Sequence, residues 1–258
     1  MEHDFDKTPS YFNTEEAFEK YLGMTSYYLG LQKCTEKLIR LASPKSVAEL
    51  GSATGATCIR LAKRFSDVRF VGIDMRADVV AIATSLKENL SNLSFVVGDM
   101  TQFVKQPIEE DFLLMLYSYH HIIDPLANKV DFLADAYHNM KKGAYLCIAE
   151  TFIPDSASGL SDKDAILRLW STRKDEGFAS TFWNALNALD TDSIIKTQAI
   201  AEYCGENEYL AGKLVAERND EFLIQPAWLI EKGKLAGFNV ILNQAINSIE
   251  DRIILFRK

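Results

Sequence analysis

Between residues 46 and 151 the sequence alternates short, mostly apolar runs with stretches whose apolar residues recur at helical spacing. The apolar runs, among them SVAEL, RFVGID and DFLLMLY, contain too few polar residues to leave one face of a sheet in water. Strands of this kind, separated by helices, are typical of a parallel sheet that helices cover on both faces. The alternation predicts an α/β fold with strands at 46–51, 69–74, 93–97, 111–117 and 144–151 and helices at 57–65, 77–90 and 125–140.

The sequence outside this middle part has a different pattern. Residues 226–236 predict another helix, which ends at a glycine, the residue that commonly terminates helices. The apolar runs 238–246 and 252–256 follow, and the polar stretch between them predicts an antiparallel hairpin that closes the sheet. Residues 14–42 and 155–222 have mostly helical patterns, and they predict two helical additions to the sheet.

A turn of small residues follows the first strand, in the segment ELGSATG at 49–55. Small side chains let a ligand approach the backbone, and the next helix offers the N–H groups of its first turn. Asp74 ends the second strand, where a carboxylate can accept hydrogen bonds from both hydroxyls of a ribose. Asp99 and Met100 follow the third strand, where they could hold the amino edge and the face of an adenine. The pattern indicates a nucleoside-containing cofactor.

The loop does not match the loops that bind pyrophosphate. The dinucleotide pattern G-x-G-x-x-G, started at Gly51, requires glycine at position 53, where this chain has Ala53. Glu49 stands just before the turn, and its charge suits a cofactor that carries an ammonium or sulfonium group. No G-x-x-x-x-G-K-[ST] phosphate loop is present in the sequence either. A cationic cofactor is therefore favoured over a dinucleotide.

Six segments in order resemble the motifs of class I S-adenosylmethionine-dependent methyltransferases of the small-molecule type. The loop resembles the family's D/E-x-G-x-G-x-G motif, with Ala53 in place of the central glycine, and we expect Ala53 to keep a negative φ. The resemblance covers about residues 46–151 and 226–258. Its other segments are 71–75, 97–100, the fourth strand with the His-His-x-x-Asp loop at 120–124, 142–149 and 236–240.

The resemblance implies a Rossmann-like three-layer sandwich whose seven-stranded sheet has the order 3-2-1-4-5-7-6, with strand 7 antiparallel, plus a helical cap. S-adenosylmethionine would lie across the carboxyl ends of strands 1 to 4, where open α/β sheets place their ligands. The small residues of the loop would line its methionine and ribose, Asp74 would bind the ribose, and Tyr117 would lie near the methyl group. The implied cofactor residues are Glu49, Gly51, Ser52, Gly55, Asp74, Met75, Asp99, Met100 and Tyr117.

Several of these residues also have structural explanations, which stay open at this point. Gly51 and Gly55 could form a tight turn, Asp74 could cap a helix, and Glu49 could be a buried acid bonded to backbone amides.

Three residues are candidates for catalysis. His120 and His121 have the side chain best suited to a general base near neutral pH, but the pair could equally be a structural element of its loop. Tyr117 is the third candidate. Glu150 stands at the carboxyl end of the fifth strand, where small-molecule members of the family often place substrate contacts.

Composition limits the partners. The net charge is −8, and residues 155–222 hold 13 acidic but only 7 basic residues, which disfavours nucleic acid. Cys34, Cys58, Cys147 and Cys204 have no metal-ligand spacing, so we expect neither a metal site nor a disulfide framework. The N-terminus does not resemble a signal peptide, and no apolar run reaches the ~20 residues that span a bilayer. We expect a cytoplasmic protein without a membrane partner.

The sequence therefore predicts an enzyme that moves a methyl group from S-adenosylmethionine to an O, N or C nucleophile of a small molecule. Residues 1–258 would form one domain, with an N-terminal helical cap at 1–45 and a helical insertion at 155–222. The insertion would cap the substrate, or it would mediate a homodimer. Three alternatives stay open: non-methylating chemistry on the same cofactor, a methyltransferase acting on tRNA or protein, and a non-catalytic partner subunit.

Overall fold

The structure is a computed structural model that describes residues 26–122, 125–152, 224–246 and 251–258. Helices and strands alternate along most of this part of the chain, as the sequence pattern predicts. The helices are α1 (Ser26–Ala42), α2 (Ala56–Arg64), α3 (Ala77–Leu86), α4 (Met100–Phe103), α5 (Pro125–Asn139) and α6 (Pro226–Ala236). The strands are β1 (Ser46–Leu50), β2 (Arg69–Asp74), β3 (Leu93–Val97), β4 (Phe112–Leu116), β5 (Tyr145–Thr151), β6 (Asn239–Ala245) and β7 (Asp251–Arg257).

The strands of the described residues form one seven-stranded sheet with the order β3-β2-β1-β4-β5-β7-β6. β1 is central, and its Ala48 pairs with Val71 of β2 on one side and with Leu113 of β4 on the other. β7 runs antiparallel to both β5 and β6, as the pairing of Ala149 with Ile253 illustrates. The fold class, the strand order and the reversed seventh strand are therefore confirmed.

Two hydrophobic clusters cover the two faces of the sheet. Alternate residues of a strand point to opposite faces, and Ala48 and Leu50 of β1 accordingly belong to one cluster while Val47 belongs to the other. Every residue of β1 and β4 is buried, which explains why these strands read as apolar runs. Full burial of a large apolar side chain such as Phe112 contributes about 1.5–3 kcal/mol.

Some element boundaries differ from the sequence prediction. The helix predicted over 77–90 ends at Leu86, because Glu88 takes a left-handed φ of 53°, which does not continue a helix. α4 was not predicted; it begins where the Asp99 side chain accepts a hydrogen bond from the Thr101 backbone N–H. The one-turn 3-10 helix Tyr119–His121 was also not predicted. Elements this short carry no sequence periodicity.

Part of the predicted domain organisation falls outside the described residues. Of the N-terminal cap at 1–45, the described helix is α1, and the preceding residues 1–25 lie outside the described part. The whole insertion at 155–222 also lies outside it. No helix among the described residues is both long enough and apolar enough to cross a bilayer.

Candidate functional site

The loop after β1 is tied by its own backbone to the end of β2. The N–H groups of Gly51 and Ser52 both donate to the carbonyl of Ile73, at 2.8 and 3.0 Å. The N–H of Gly55 donates to the carbonyl of Ser52 at 2.8 Å. Because these amides are used inside the protein, the loop is a poor donor site for a phosphate group.

Asp74 holds the middle of this loop. One carboxylate oxygen, Oδ2, accepts a hydrogen bond from the backbone N–H of Ala53 at 2.9 Å, and Oδ1 accepts one from the N–H of Arg76 at 3.0 Å. Asp74 is partly exposed, so its carboxylate can accept further hydrogen bonds from a ligand. The residue before α3 is Arg76, so Asp74 does not cap that helix and this structural explanation is wrong.

Ala53 contradicts the expected backbone conformation. Its φ is 45°, in the left-handed region, whereas we expected a negative value. A residue with a Cβ atom loses about 1–2 kcal/mol there. The hydrogen bond from Ala53 to Asp74 offsets part of this cost, and the loop keeps the path that its N–H groups require.

The glycines of the loop serve packing inside the protein. Gly51 and Gly55 have φ values of 75° and 79°. A Cβ atom on Gly51 would lie 2.5 Å from Cβ of Ser118, and one on Gly55 would lie 2.2 Å from the ring of Phe95. The tight-turn explanation therefore holds for both glycines, and any contact with a cofactor would use their backbone atoms.

Ser52 presents a buried hydroxyl in the same loop. The residue is 5% exposed, and its Oγ has no hydrogen-bond partner among the described residues. A buried polar atom without a partner is costly, and a ligand group is one way to supply the partner. This orphaned hydroxyl fits the prediction that Ser52 lines a cofactor.

The ends of β2 and β3 offer apolar surface next to carboxylates. Met75 and Val97 are 51% and 52% exposed, and each adjoins the end of its strand. Asp99 is exposed, and its Oδ1 accepts hydrogen bonds from the N–H and the hydroxyl of Thr101, so Oδ2 is the oxygen left for an adenine amino group. Met100 packs against the core below. The arrangement suits an adenine ring, although Met100 is partly committed to packing.

Glu49 is a buried acid with only 3% of its surface exposed, so the burial considered from the sequence is confirmed. The thiol of Cys58, in the first turn of α2, hydrogen-bonds to its carboxylate. Burial, and then the negative charge of Glu49, raise the pKa of Cys58 well above the usual range of a thiol. Glu49 therefore places a negative charge directly behind the loop, where it would attract a cationic ligand.

The loop after β4 contacts the loop after β1. Ser118 donates its hydroxyl to the carbonyl of Leu50 at 2.6 Å, and the N–H of Tyr117 donates to the carbonyl of Ala149 at 2.9 Å. Tyr117 has a left-handed φ of 53° and is partly buried. Tyr119 is 1% exposed and belongs to the core. Sequence reasoning missed Ser118, because nothing in its local pattern indicates that it closes on Gly51.

His120 and Glu150 form a pair at this end of the sheet. Nδ1 of His120 lies 2.9 Å from Oε2 of Glu150, and the His120 backbone N–H points to the same oxygen at 3.4 Å. Glu150 is 2% exposed, so it is not the open substrate contact expected from its position. Leu116 of β4 pairs with Ala149 of β5, and the loops that follow these strands therefore meet. Sequence reasoning named both residues but missed the pairing.

The pair has the chemistry of a general base. A carboxylate on Nδ1 favours the neutral tautomer with its hydrogen on Nδ1, so that the lone pair of Nε2 can take a proton. The carboxylate then stabilises the imidazolium that forms. The ring of His121 lies against that of His120, with 4.0 Å between centroids, and His121 itself is exposed.

Lys129 of α5 lies beneath this pair and was not singled out from the sequence. It is fully buried, and its Nζ donates to the carbonyl of Ile122 at 3.0 Å and to that of His120 at 3.5 Å. Burial lowers the pKa of Lys129 to about 8, and the negative charge of Glu150 opposes this shift.

The family model of the methyltransferase domain matches residues 41–215 of this chain. The chain belongs to the methyltransferase-domain family. The resemblance found in the sequence motifs is thereby confirmed, and the loop, strand ends and His–Glu pair described above belong to a methyltransferase domain.

Two fungal O-methyltransferases are similar in sequence to this methyltransferase domain. The O-methyltransferase bik3 of Gibberella fujikuroi is 26% identical over 152 residues, which cover 57% of this chain and 31% of the relative. The grayanic acid biosynthesis cluster O-methyltransferase of Cladonia grayi is 25% identical over 158 residues, which cover 60% of this chain and 33% of the relative. The chain thus spans about a third of the length of these relatives.

Solved structures share the methyltransferase fold. The crystal structure of human N-acetylserotonin methyltransferase in complex with SAM is 17% identical and superposes with a TM-score of 0.56, covering 96% of this chain and 57% of the human one. The mitomycin 7-O-methyltransferase MmcR is 13% identical with a TM-score of 0.55, covering 90% of this chain and 54% of its own.

Proposed function

We propose that this member of the methyltransferase-domain family transfers a methyl group from S-adenosylmethionine to a small-molecule acceptor. The observation that carries the choice of cofactor is the loop after β1. The amides of residues 51, 52, 53 and 55 all donate inside the protein, so they offer little to a pyrophosphate. The carboxylates of Glu49 and Asp74 instead suit an ammonium group and a pair of ribose hydroxyls.

The residues proposed to hold the cofactor each supply one kind of contact. Asp74 would accept from the ribose hydroxyls, and Met75 would pack on the adenine ring. The buried Ser52 hydroxyl would gain the partner that the described residues do not supply. When bound, S-adenosylmethionine supplies a methyl group on a positively charged sulfur, and the protein's task is to orient the acceptor and exclude water.

We propose His120 as the general base of the reaction. Its Nε2 would take the proton of the acceptor while Glu150 stabilises the imidazolium, and general-base catalysis of this kind contributes roughly 10²–10⁴ in rate. The observation that favours His120 is the 2.9 Å contact of its Nδ1 with the buried Glu150 carboxylate. His121, whose ring lies against that of His120, would help to orient it. Tyr117 would lie near the transferred methyl group.

An oxygen acceptor fits this machinery best. The two fungal relatives are named as O-methyltransferases, and a hydroxyl group must lose a proton when its oxygen is methylated. A paired histidine supplies the means to remove that proton. We therefore propose a small molecule with a hydroxyl group, such as a phenol, as the acceptor. The net charge of −8 makes a nucleic acid a poor alternative.

Thermal unfolding in the presence of candidate cofactors tests the proposed function. A ligand that binds the native state alone raises the unfolding midpoint. S-adenosylmethionine and its demethylated product, S-adenosylhomocysteine, should each raise the midpoint by several degrees, whereas NAD should leave it unchanged. A rise with NAD and none with either sulfur nucleoside would overturn the proposal.

We also propose that the protein works in the cytoplasm. Cys34, Cys58 and Cys147 are all free thiols, which suits a reducing compartment. Fractionation of cells that express a tagged chain should recover it with cytoplasmic markers, and recovery from a secreted fraction would contradict this. The homodimer considered from the sequence is a separate proposal, which sedimentation equilibrium tests directly.

A further inference from the structure

Lys129 is the fully buried lysine among the described residues. Lysines are almost never fully buried unless their charge has partners. Its ammonium donates to two backbone carbonyls, those of His120 and Ile122, at 3.5 and 3.0 Å. The first carbonyl lies within the one-turn helix Tyr119–His121, and the second belongs to the residue that directly follows this helix. The side chain of Lys129 therefore ties this turn to α5.

A second contact fastens the same turn from the opposite direction. The hydroxyl of Tyr119 donates to the backbone carbonyl of Lys129 at 3.1 Å. The Lys129 ammonium also lies 5.2 Å from the centroid of the Tyr119 ring, which is within the range of a cation–π interaction. Tyr119 and Lys129 thus hold each other through a hydrogen bond and a ring contact. Because His120 directly follows Tyr119 in the chain, its position depends on both residues.

The negative charge of Glu150, next to His120, is compensated by a positive charge from another residue. The buried Glu150 carboxylate faces a neutral imidazole when His120 is ready to act as a base, so its negative charge lacks a counter-charge from that residue. Lys129 supplies a positive charge that interacts with Glu150. Charged or titratable groups at this turn include Lys129 on α5, Glu150 on β5, and Tyr119, His120 and His121 within the turn itself. Arg252 on β7 stands opposite Glu150 in the strand register.

We propose that Lys129 is a positioning residue for the His120–Glu150 pair. It fixes the turn that carries His120, and it balances the charge of Glu150 so that His120 stays neutral and able to accept a proton. This role rests on the proposed function, because it matters for the reaction only if His120 is the base. Without the ammonium, an imidazolium on His120 would become the counter-charge of Glu150, and His120 would hold its proton to higher pH.

Nuclear magnetic resonance of the full chain with labelled histidine tests the proposal. The chain has four histidines, and the ring signals of His120 are assigned by their loss in His120→Gln. The midpoint of the His120 titration should move upward by about one pH unit in Lys129→Met, as expected for loss of a nearby positive charge. Lys129→Arg keeps the charge and should keep the midpoint near that of the wild type. An unchanged midpoint in Lys129→Met would overturn the proposal.

Lys258→Met is a matched control. The ammonium of Lys258 donates to the carbonyls of His138 and Met140 and lies 5.2 Å from the centroid of the Tyr137 ring, at the other end of α5. It therefore reproduces the contacts of Lys129 away from the His120–Glu150 pair. Its removal should leave the His120 titration unchanged. An equal shift in Lys258→Met would mean that general loosening of α5, and not Lys129, sets the His120 midpoint.

The wild-type protein decides the question if Lys129→Met does not fold. The His120 signals should then show a second inflection near pH 8, where Lys129 loses its proton. Its absence would overturn the proposal. Cofactor binding is measured in parallel by thermal unfolding with S-adenosylhomocysteine. No stabilisation of the wild type would refute the proposed function, whereas normal stabilisation with an unaltered His120 titration would refute the role of Lys129 alone.

Discussion

Nδ1 of His120 lies 2.9 Å from Oε2 of Glu150, although the two residues are 30 positions apart in the sequence. The contact joins the loop after β4 to the end of β5, at the edge of the sheet where the loop after β1 also lies. A histidine held this way by a buried carboxylate is oriented and tuned to take a proton. Its position beside the proposed cofactor loop links the fold to its chemistry.

The first prediction concerns Glu150. Replacing it with glutamine keeps the shape but removes the charge that stabilises a protonated His120. The rate of methyl transfer to a phenolic acceptor should fall by about 10²–10⁴-fold, while the affinity for S-adenosylmethionine stays the same. Glu231→Gln is the control, because Glu231 is exposed on α6 and pairs only locally with Lys232 among the described residues. Equal rates for the two variants would show that the His120–Glu150 pair does not act as a general base.

A second prediction concerns the strain at Ala53. Glycine has no Cβ atom to clash in the left-handed region, so Ala53→Gly should raise the free energy of unfolding by about 0.5–1 kcal/mol. Ala81→Gly is the matched control; Ala81 is exposed within α3, and the same substitution there should lower it by about 1 kcal/mol. Urea denaturation measures both. Destabilisation by Ala53→Gly of the size seen at Ala81 would show that Ala53 is unstrained.

A third prediction follows from the pKa of Lys129, which is lowered to about 8. Between pH 8 and about 10.4, the usual value for lysine, the unfolded chain binds a proton that the folded protein does not. The contribution of Lys129 to the free energy of unfolding is therefore lowest below pH 8, and it increases between pH 8 and about 10.4. The free energy of unfolding of the wild type minus that of Lys129→Met should therefore increase as the pH rises from 8 to 10. A difference independent of pH throughout would contradict the lowered pKa.

The sequence predicted the buried strands, their order and the acidic residues at the strand ends. The apolar runs of β1 and β4 revealed strands buried on both faces, because burial on two sides requires such runs. The strand order followed from motifs that resemble a known family, and it is confirmed. Asp74 and Asp99 were located by their positions after strands, since the carboxyl ends of parallel strands meet at one edge.

Other features depend on contacts that no local pattern records. The left-handed φ of Ala53 is set by the hydrogen bonds that tie its loop to β2, and it contradicts the preference of alanine itself. The pairing of His120 with Glu150 requires the register of β4 against β5. The buried ammonium of Lys129 donates to backbone carbonyls and interacts with the charge of Glu150, and only the fold brings these groups together.

A fourth prediction concerns Asp74. Asp74→Ala removes the proposed acceptor of the ribose hydroxyls and the hydrogen bond that holds Ala53, so the binding of S-adenosylmethionine should weaken by about 1–3 kcal/mol. Asp78→Ala is the control, because the Asp78 side chain is exposed and pairs with Arg76. Calorimetric titration measures both affinities. If Asp74→Ala and the wild type bind S-adenosylmethionine with equal affinity, Asp74 does not bind the ribose.

Calorimetric titration of the wild-type chain with S-adenosylmethionine, and separately with NAD, tests the central claim most directly. Because the loop after β1 uses its amides internally and places carboxylates around the site, S-adenosylmethionine should bind with measurable heat at a stoichiometry of about one per chain, and NAD should not. Binding of NAD without binding of S-adenosylmethionine would contradict the account.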